Sequence, residues 1–199
     1  MARPKEFKTA ALLKTARKVF RDFGHSATTR QVARTAGLSE GVIYQRFRTK
    51  DELFFAAFTE GIPSLKGLAD LDSHASEPCK YLAFFAARTK DHFRSVVPST
   101  LSMAAHPKYG SELMRNVHQI NRAAEITTML ATQLRNWSTA GKISKMDFVE
   151  TTHVFVHALH SMAMLEVLSD KPLRSTQPDE MIGFVEVFWF GLQNRRFSQ

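Results

Sequence analysis

The stretch LSEGVIYQRFRTKDEL, residues 38–53, decides how this chain folds. A glycine, Gly41, stands inside an otherwise helical segment, and surface-type Tyr44, Gln45 and Arg46 alternate with core-type Val42, Ile43 and Phe47. Ser39 is a natural N-cap for a helix that must end near Phe47. Thr49-Lys50-Asp51-Glu52 then forms a T-x-x-E capping box that starts another helix and places carboxylates at its positive end. A helix of about two turns is not stable alone, so its neighbours must hold it. Val42 and Ile43 cannot both face outward, so one of them belongs to a core. The remaining exposed face is left over for contact with something else.

The signals just upstream supply the neighbours. In ATTRQVARTAG, Thr28 and Gln31 form a capping box, Val32, Ala33 and Ala36 face inward, and Gly37 ends the helix. Over residues 8–23 the apolar Leu12, Ala16, Val19, Phe20 and Phe23 recur at three- and four-residue steps, and Gly24 sits at the C-cap. Two short helices joined by the Gly37-Leu38 turn read as a helix-turn-helix, the arrangement that lays its second helix in the major groove of DNA.

Charge distribution agrees. Residues 1–50 hold 12 Lys and Arg against 3 Asp and Glu, whereas residues 51–199 hold 15 against 16, so the net charge of +8 belongs entirely to the first quarter of the chain. A basic segment of this kind favours a polyanion. With 44% hydrophobic and 23% charged residues the composition is that of a soluble globular protein. No apolar run reaches the ~18 residues of a membrane span and MARPKEFK lacks a signal core, so a cytoplasmic protein is expected. The single cysteine, Cys79, cannot make an intrachain disulfide or by itself a zinc site.

Helical periodicity continues downstream, without sustained strand-type alternation. Residues 53–58, LFFAAF, carry a helix toward Gly61-Ile62-Pro63, and residues 64–77 are loop-like in composition. Helices are expected over residues 79–97, in a short piece after Pro98, over 111–138, over 146–168 and over 178–195. Ala140-Gly141 should close the third of these and Pro172 and Pro178 bound the last loop.

About residues 12–58, from Leu12 through the quoted stretch to Phe58, closely resemble the DNA-binding domain of TetR-family transcriptional regulators. The resemblance lies in the spacing of Gly24, Thr28-Thr29, Val32-Ala33, Ala36-Gly37-Leu38-Ser39, Gly41, Tyr44, Phe47, Lys50 and Leu53. AGKISKMDF with the following ALHSMAM, and the closing FGL, are weaker matches. The resemblance implies an all-α fold of about nine helices: a three-helix helix-turn-helix domain over residues 1–55 and a helical effector-binding and dimerisation domain over residues 56–199. It implies a homodimer on a palindromic double-stranded operator, a repressor released when a small apolar or aromatic ligand enters the second domain. An architectural or occlusion factor with no effector is the alternative.

By the same resemblance Lys50 and Tyr44 touch phosphates, with Thr28 and Arg30 at the start of their helix, and Ser39 is counted among the DNA-binding residues. Amides at helix starts are exposed donors that suit phosphate oxygens. Gly41 lets the helix approach the DNA backbone closely. Gln45 can pair with adenine, Val42 can meet a thymine methyl, and Arg46 can grip guanine. Glu40 would repel phosphate and points at a cytosine amine or at Arg46.

No catalytic residue, cofactor or metal is expected. Candidate ligand-lining residues are Phe85, Met103, Met114, Val117, His118, Asn121 and Phe155, drawn from a region rich in aromatics. His153, His157 and His160 share one helix face, a spacing zinc could use, but the H-E-x-x-H glutamate is missing and packing is the simpler role. The helices over 146–168 and 178–195 are apolar on more than one face, as VFWFGL illustrates, which suggests that they bury one side in their own core and the other against a second subunit.

Overall fold

The structure, a computed structural model, describes residues 9–60, 65, 68, 71, 76–108, 110, 111, 122–169 and 178–193. Among these there are eight α-helices and no strand. The chain divides into two compact bodies, Met1–Ile62 with Pro98–Ile120, and Pro63–Val97 with Asn121–Gln199.

The first body contains α1 (Thr9–Phe23), a 3-10 turn (Gly24–Ser26), α2 (Thr29–Ala36), α3 (Glu40–Tyr44) and α4 (Lys50–Thr59). Leu12, Ala16, Val19 and Phe20 of α1, Val32 and Ala33 of α2, Ile43 of α3, and Leu53, Phe54, Ala57 and Phe58 of α4 form one buried core. Gly24 and Gly37 end α1 and α2 with φ of 58° and 67°, left-handed values that suit glycine. The capping box of α2 is complete: the Thr28 hydroxyl accepts from Gln31 N, and the Gln31 side chain accepts from Thr28 N at 2.8 Å.

Four local expectations change. Phe23, the last residue of α1, is 53% exposed although it lies on the same helix face as Val19 and Phe20. Ser39 occupies the N-cap of α3, but its side chain makes no capping bond. α3 stops at Tyr44 although Phe47 stays buried, its N–H donating to Ile43 O at 2.9 Å. The second capping box is half formed: Thr49 accepts from Glu52 N, while the Glu52 carboxylate accepts from Arg48 N, one residue earlier than the pattern requires. With five residues, α3 depends on Ile43 and Phe47, each worth roughly 1.5–3 kcal/mol on burial.

The second body contains most of α5 (Pro78–Ala104), and α6 (Ala123–Thr139), α7 (Phe148–Ser169) and α8 (Pro178–Gln193). Leu82, Phe85, Phe93, Ile126, Leu130, Leu134, Trp137, Phe155, Leu159, Met181 and Val185 form its core. α5 passes through Pro98 without a break, where a stop was expected. The N–H that Pro98 lacks costs one bond, and buried Val96, Val97, Ser99 and Met103 hold both flanks.

α6 begins afresh after Arg122, whose φ of 54° no α-helix continues through, so a single helix over 111–138 is not formed. Residues 112–121, and the loop of residues 171–177, lie outside the described residues. Gly141, φ 72°, closes α6 as expected. The cap of α7 is Asp147, whose carboxylate accepts from Val149 N and Glu150 N, both at 3.0 Å.

Residues 98–104 of α5 belong with the first body, where Met103 joins the core of α1 to α4.

Candidate nucleic-acid interface

α2 and α3 are locked together by one polar knot. The hydroxyl of Thr29, itself buried, donates to the Glu40 carboxylate. A threonine has one hydroxyl proton, so the Tyr44 phenol, 3.1 Å from Thr29 Oγ1, must be the donor in the second contact. Glu40 therefore faces α2 and does not pair with Arg46, which instead donates from Nη1 to Thr9 Oγ1 at 2.8 Å. Sequence spacing contained no signal for the Thr29 partnership, since the two residues lie eleven apart.

Of the pair Val42 and Ile43, Ile43 is fully buried and Val42 is half-buried. Thr28, Arg30, Ser39, Gly41, Tyr44, Gln45 and Arg46 are exposed, and Lys50 is half-buried. The first turn of α4 presents Lys50, whose ammonium donates to the His25 carbonyl at 2.7 Å. One of its three protons is used there and two remain for an outside acceptor.

Among the described residues nothing requires glycine at position 41. A Cβ placed there would meet only Ser39 Oγ, at 3.8 Å, an ordinary contact. Glycine within a helix costs about 1 kcal/mol against alanine, and no contact among the described residues offsets it.

Three of the ligand-lining candidates fall among the described residues. Phe85 and Phe155 meet in the core of the second body, ring centroids 6.4 Å apart. Met103 is buried in the core of the first body instead, because α5 carries it there. Met114, Val117, His118 and Asn121 lie outside the described residues.

His157 Nδ1 lies 2.7 Å from the His153 carbonyl, and the His160 ring packs edge-on to Phe93 at 4.9 Å. Burial, then the neighbouring His157, holds the His160 pKa below its ordinary value. Among the described residues no three His, Cys, Asp or Glu side chains are arranged to hold a metal, and no helix is long and apolar enough to cross a membrane.

A helix-turn-helix with its second helix outward, carried on a body that is itself closed by helices, defines a DNA-binding class of protein. Residues 12–57 match the family model "Bacterial regulatory proteins, tetR family". The helix-turn-helix segment of the chain is therefore similar to the DNA-binding region of transcriptional regulators of this family. The uncharacterized HTH-type transcriptional regulator YhgD of Bacillus subtilis is 41% identical over 68 residues, 34% of this chain and 34% of that protein, so the match spans about a third of the curated relative.

Solved structures share the fold over nearly the whole length. The transcriptional regulator FadR of Bacillus subtilis, in complex with stearoyl-CoA, has a TM-score of 0.62 at 16% identity, covering 94% of this chain and 98% of that one. A protein of unknown function from Rhodococcus sp. RHA1 has a TM-score of 0.64 at 19% identity, covering 97% and 100%. PfmR of Thermus thermophilus, a TetR family regulator, has 0.56 at 21%, covering 92% and 99%.

Proposed function

We propose that the protein is a sequence-specific repressor that binds a palindromic operator as a homodimer in the cytoplasm and leaves it when a small, mostly apolar ligand occupies the second body. The observation that carries the DNA half is Gly41, an exposed helical glycine with open space before it. A surface that must lie against a DNA backbone gains from the missing side chain, and a merely solvated one does not. Lys50 and Tyr44 then serve phosphates with Thr28, Arg30 and Ser39, while Gln45, Val42 and Arg46 meet base edges. Tyr44 must turn its proton from Thr29 to do so.

Dimerisation is supported by where apolar side chains stay exposed. Of nine exposed large hydrophobics among the described residues, seven lie on α7 and α8: Val149, Val154, Leu165, Leu168, Ile182, Val187 and Phe190. Val187 is 78% exposed, although its neighbours Phe188 and Trp189 pack inward on Phe155 and Trp137. Such a face in water marks an interaction surface. A two-fold pairing through it presents two α3 helices to two half-sites.

For the ligand, the aromatic core of the second body supports an apolar guest, and the stearoyl-CoA complex of the FadR neighbour makes an acyl thioester one class of guest to try. Release requires that the ligand bind more tightly to the arrangement that does not fit the operator.

Selection of bound sequences from random duplex DNA at physiological salt tests the DNA half. A recovered pseudo-palindrome is the expected result, and recovery of nothing above background favours the architectural alternative. Displacement of the recovered DNA by stearoyl-CoA or by free stearate tests the ligand half; indifference to every apolar compound screened removes the effector.

A further inference from the structure

The first body contains a cleft of about 290 Å³, lined by Phe20 and Arg21 of α1, Gly24 and His25 of the 3-10 turn, Phe54 of α4, and Leu101, Ser102, Ala105 and His106. All of these residues fall within Met1–Ile62 and Pro98–Ile120. Its floor is aromatic: Phe20 and Phe54 are buried and meet edge-on with centroids 5.1 Å apart. Its walls are the rings of His25 and His106, edge-on at 4.8 Å.

The polar lining has one sign. No carboxylate lines the cleft, and Arg21, exposed at its rim, has no carboxylate partner among the described residues. His106 Nδ1 accepts from Lys108 N at 3.3 Å, so in the neutral ring the proton sits on Nε2, which faces Asp51 Oδ1 at 3.4 Å. Burial and the charges of Lys50 and His106 together push the His25 pKa down, against the opposing pull of Asp51. Aromatic floor, cationic rim and this volume match a single planar ring bearing an anion, and are too small for an acyl-CoA.

We propose that this cleft is a ligand site for a small aromatic carboxylate, separate from the apolar effector region of the second body. The ring lies on Phe20 and Phe54, and the carboxylate sits between Arg21 and His25. The His25 carbonyl holds the Lys50 ammonium at 2.7 Å, so the bound anion lowers the positive potential beside a cation that the operator-bound state uses. Occupancy therefore weakens DNA binding, and DNA weakens occupancy by the same factor. That coupling rests on the DNA-binding function proposed above, whereas the site itself does not.

The test uses the full-length protein with benzoate as probe and benzamide, its uncharged analogue, as control, followed by calorimetric titration. Saturable binding of benzoate about tenfold tighter than benzamide is expected. Arg21→Gln should abolish that difference, and Ala105→Trp, which fills the cleft from its exposed rim, should abolish binding of both at an unchanged melting midpoint. If Ala105→Trp does not fold, Ser102→Leu provides the same obstruction.

No saturable binding means a water-filled cleft and overturns the proposal. Binding untouched by either substitution also overturns it, because the probe then sits elsewhere. These arms need no DNA, so their failure is distinct from failure of the repressor function. With selected DNA, benzoate should weaken binding by the wild type and leave the filled variant unaffected; equal effects on both would sink the coupling.

Discussion

The Lys90 ammonium donates to Oε1 of Glu166 at 2.7 Å, both side chains are essentially out of contact with water, and Arg94 Nε reaches Oε2 of the same carboxylate at 3.4 Å. This pair ties α5 to α7 in the core of the second body. Taking two charges out of water costs about as much as their attraction returns, whereas removing one partner strands the other. Glu166→Ala should therefore lower the unfolding free energy by roughly 3–5 kcal/mol, while Lys90→Met with Glu166→Leu should be nearly neutral. Urea melts of the three proteins decide it, and a double variant as weak as the single one would contradict this account.

Gly41 separates folding from function. Gly41→Ala should raise stability by up to about 1 kcal/mol, since an added methyl meets only ordinary contact, and should weaken binding to selected DNA. Thermal melts and a binding isotherm on one preparation suffice. Unimpaired DNA binding would remove the close-approach argument.

Gln45 and Lys50 should fail differently. Gln45→Ala should relax preference at one base position, at roughly 1–3 kcal/mol. Lys50→Ala should weaken all sequences alike and reduce the slope of log affinity against log salt by about one. Repeated selection and a salt titration distinguish these outcomes; a sequence-confined loss for Lys50→Ala contradicts a phosphate contact.

His160 predicts the direction of pH dependence. Its folded pKa lies below the unfolded value, so the unfolded chain binds more protons in the window between them and stability rises with pH there. The contribution is complete above about pH 6.5 and is lost as pH falls through the lower folded value. His160→Phe keeps an edge-on ring against Phe93 and should flatten the loss measured between about pH 7.5 and about pH 5. An unchanged slope would assign it to other groups, His25 first among them.

The helix-turn-helix was legible because its signals are local. Capping boxes, glycine stops and three-to-four-residue apolar steps act over a single turn, so Thr28 with Gln31, Gly24 and Gly37 could be read without knowing the rest of the chain. The surface placement of Gln45 and Arg46 followed from the same periodicity. The last turn of α3 was not legible, because Phe47 can be buried either from a helix or from the turn that replaces it. The Asp147 cap was overlooked although its signal, an aspartate before an apolar periodic run, was available.

Sequence alone determined the helical character of the described residues, the basic charge of the first body and which residues of its helix-turn-helix stand exposed, because short-range hydrogen bonding and hydrophobic periodicity decide those. Tertiary structure alone decided that Glu40 turns to Thr29, that Lys90 finds Glu166 76 residues away, and that Met103 returns to the first core while Phe85 stays in the second. Such pairings depend on which helix surfaces come together, and many partners of the same chemistry are available to each residue until packing excludes all but one.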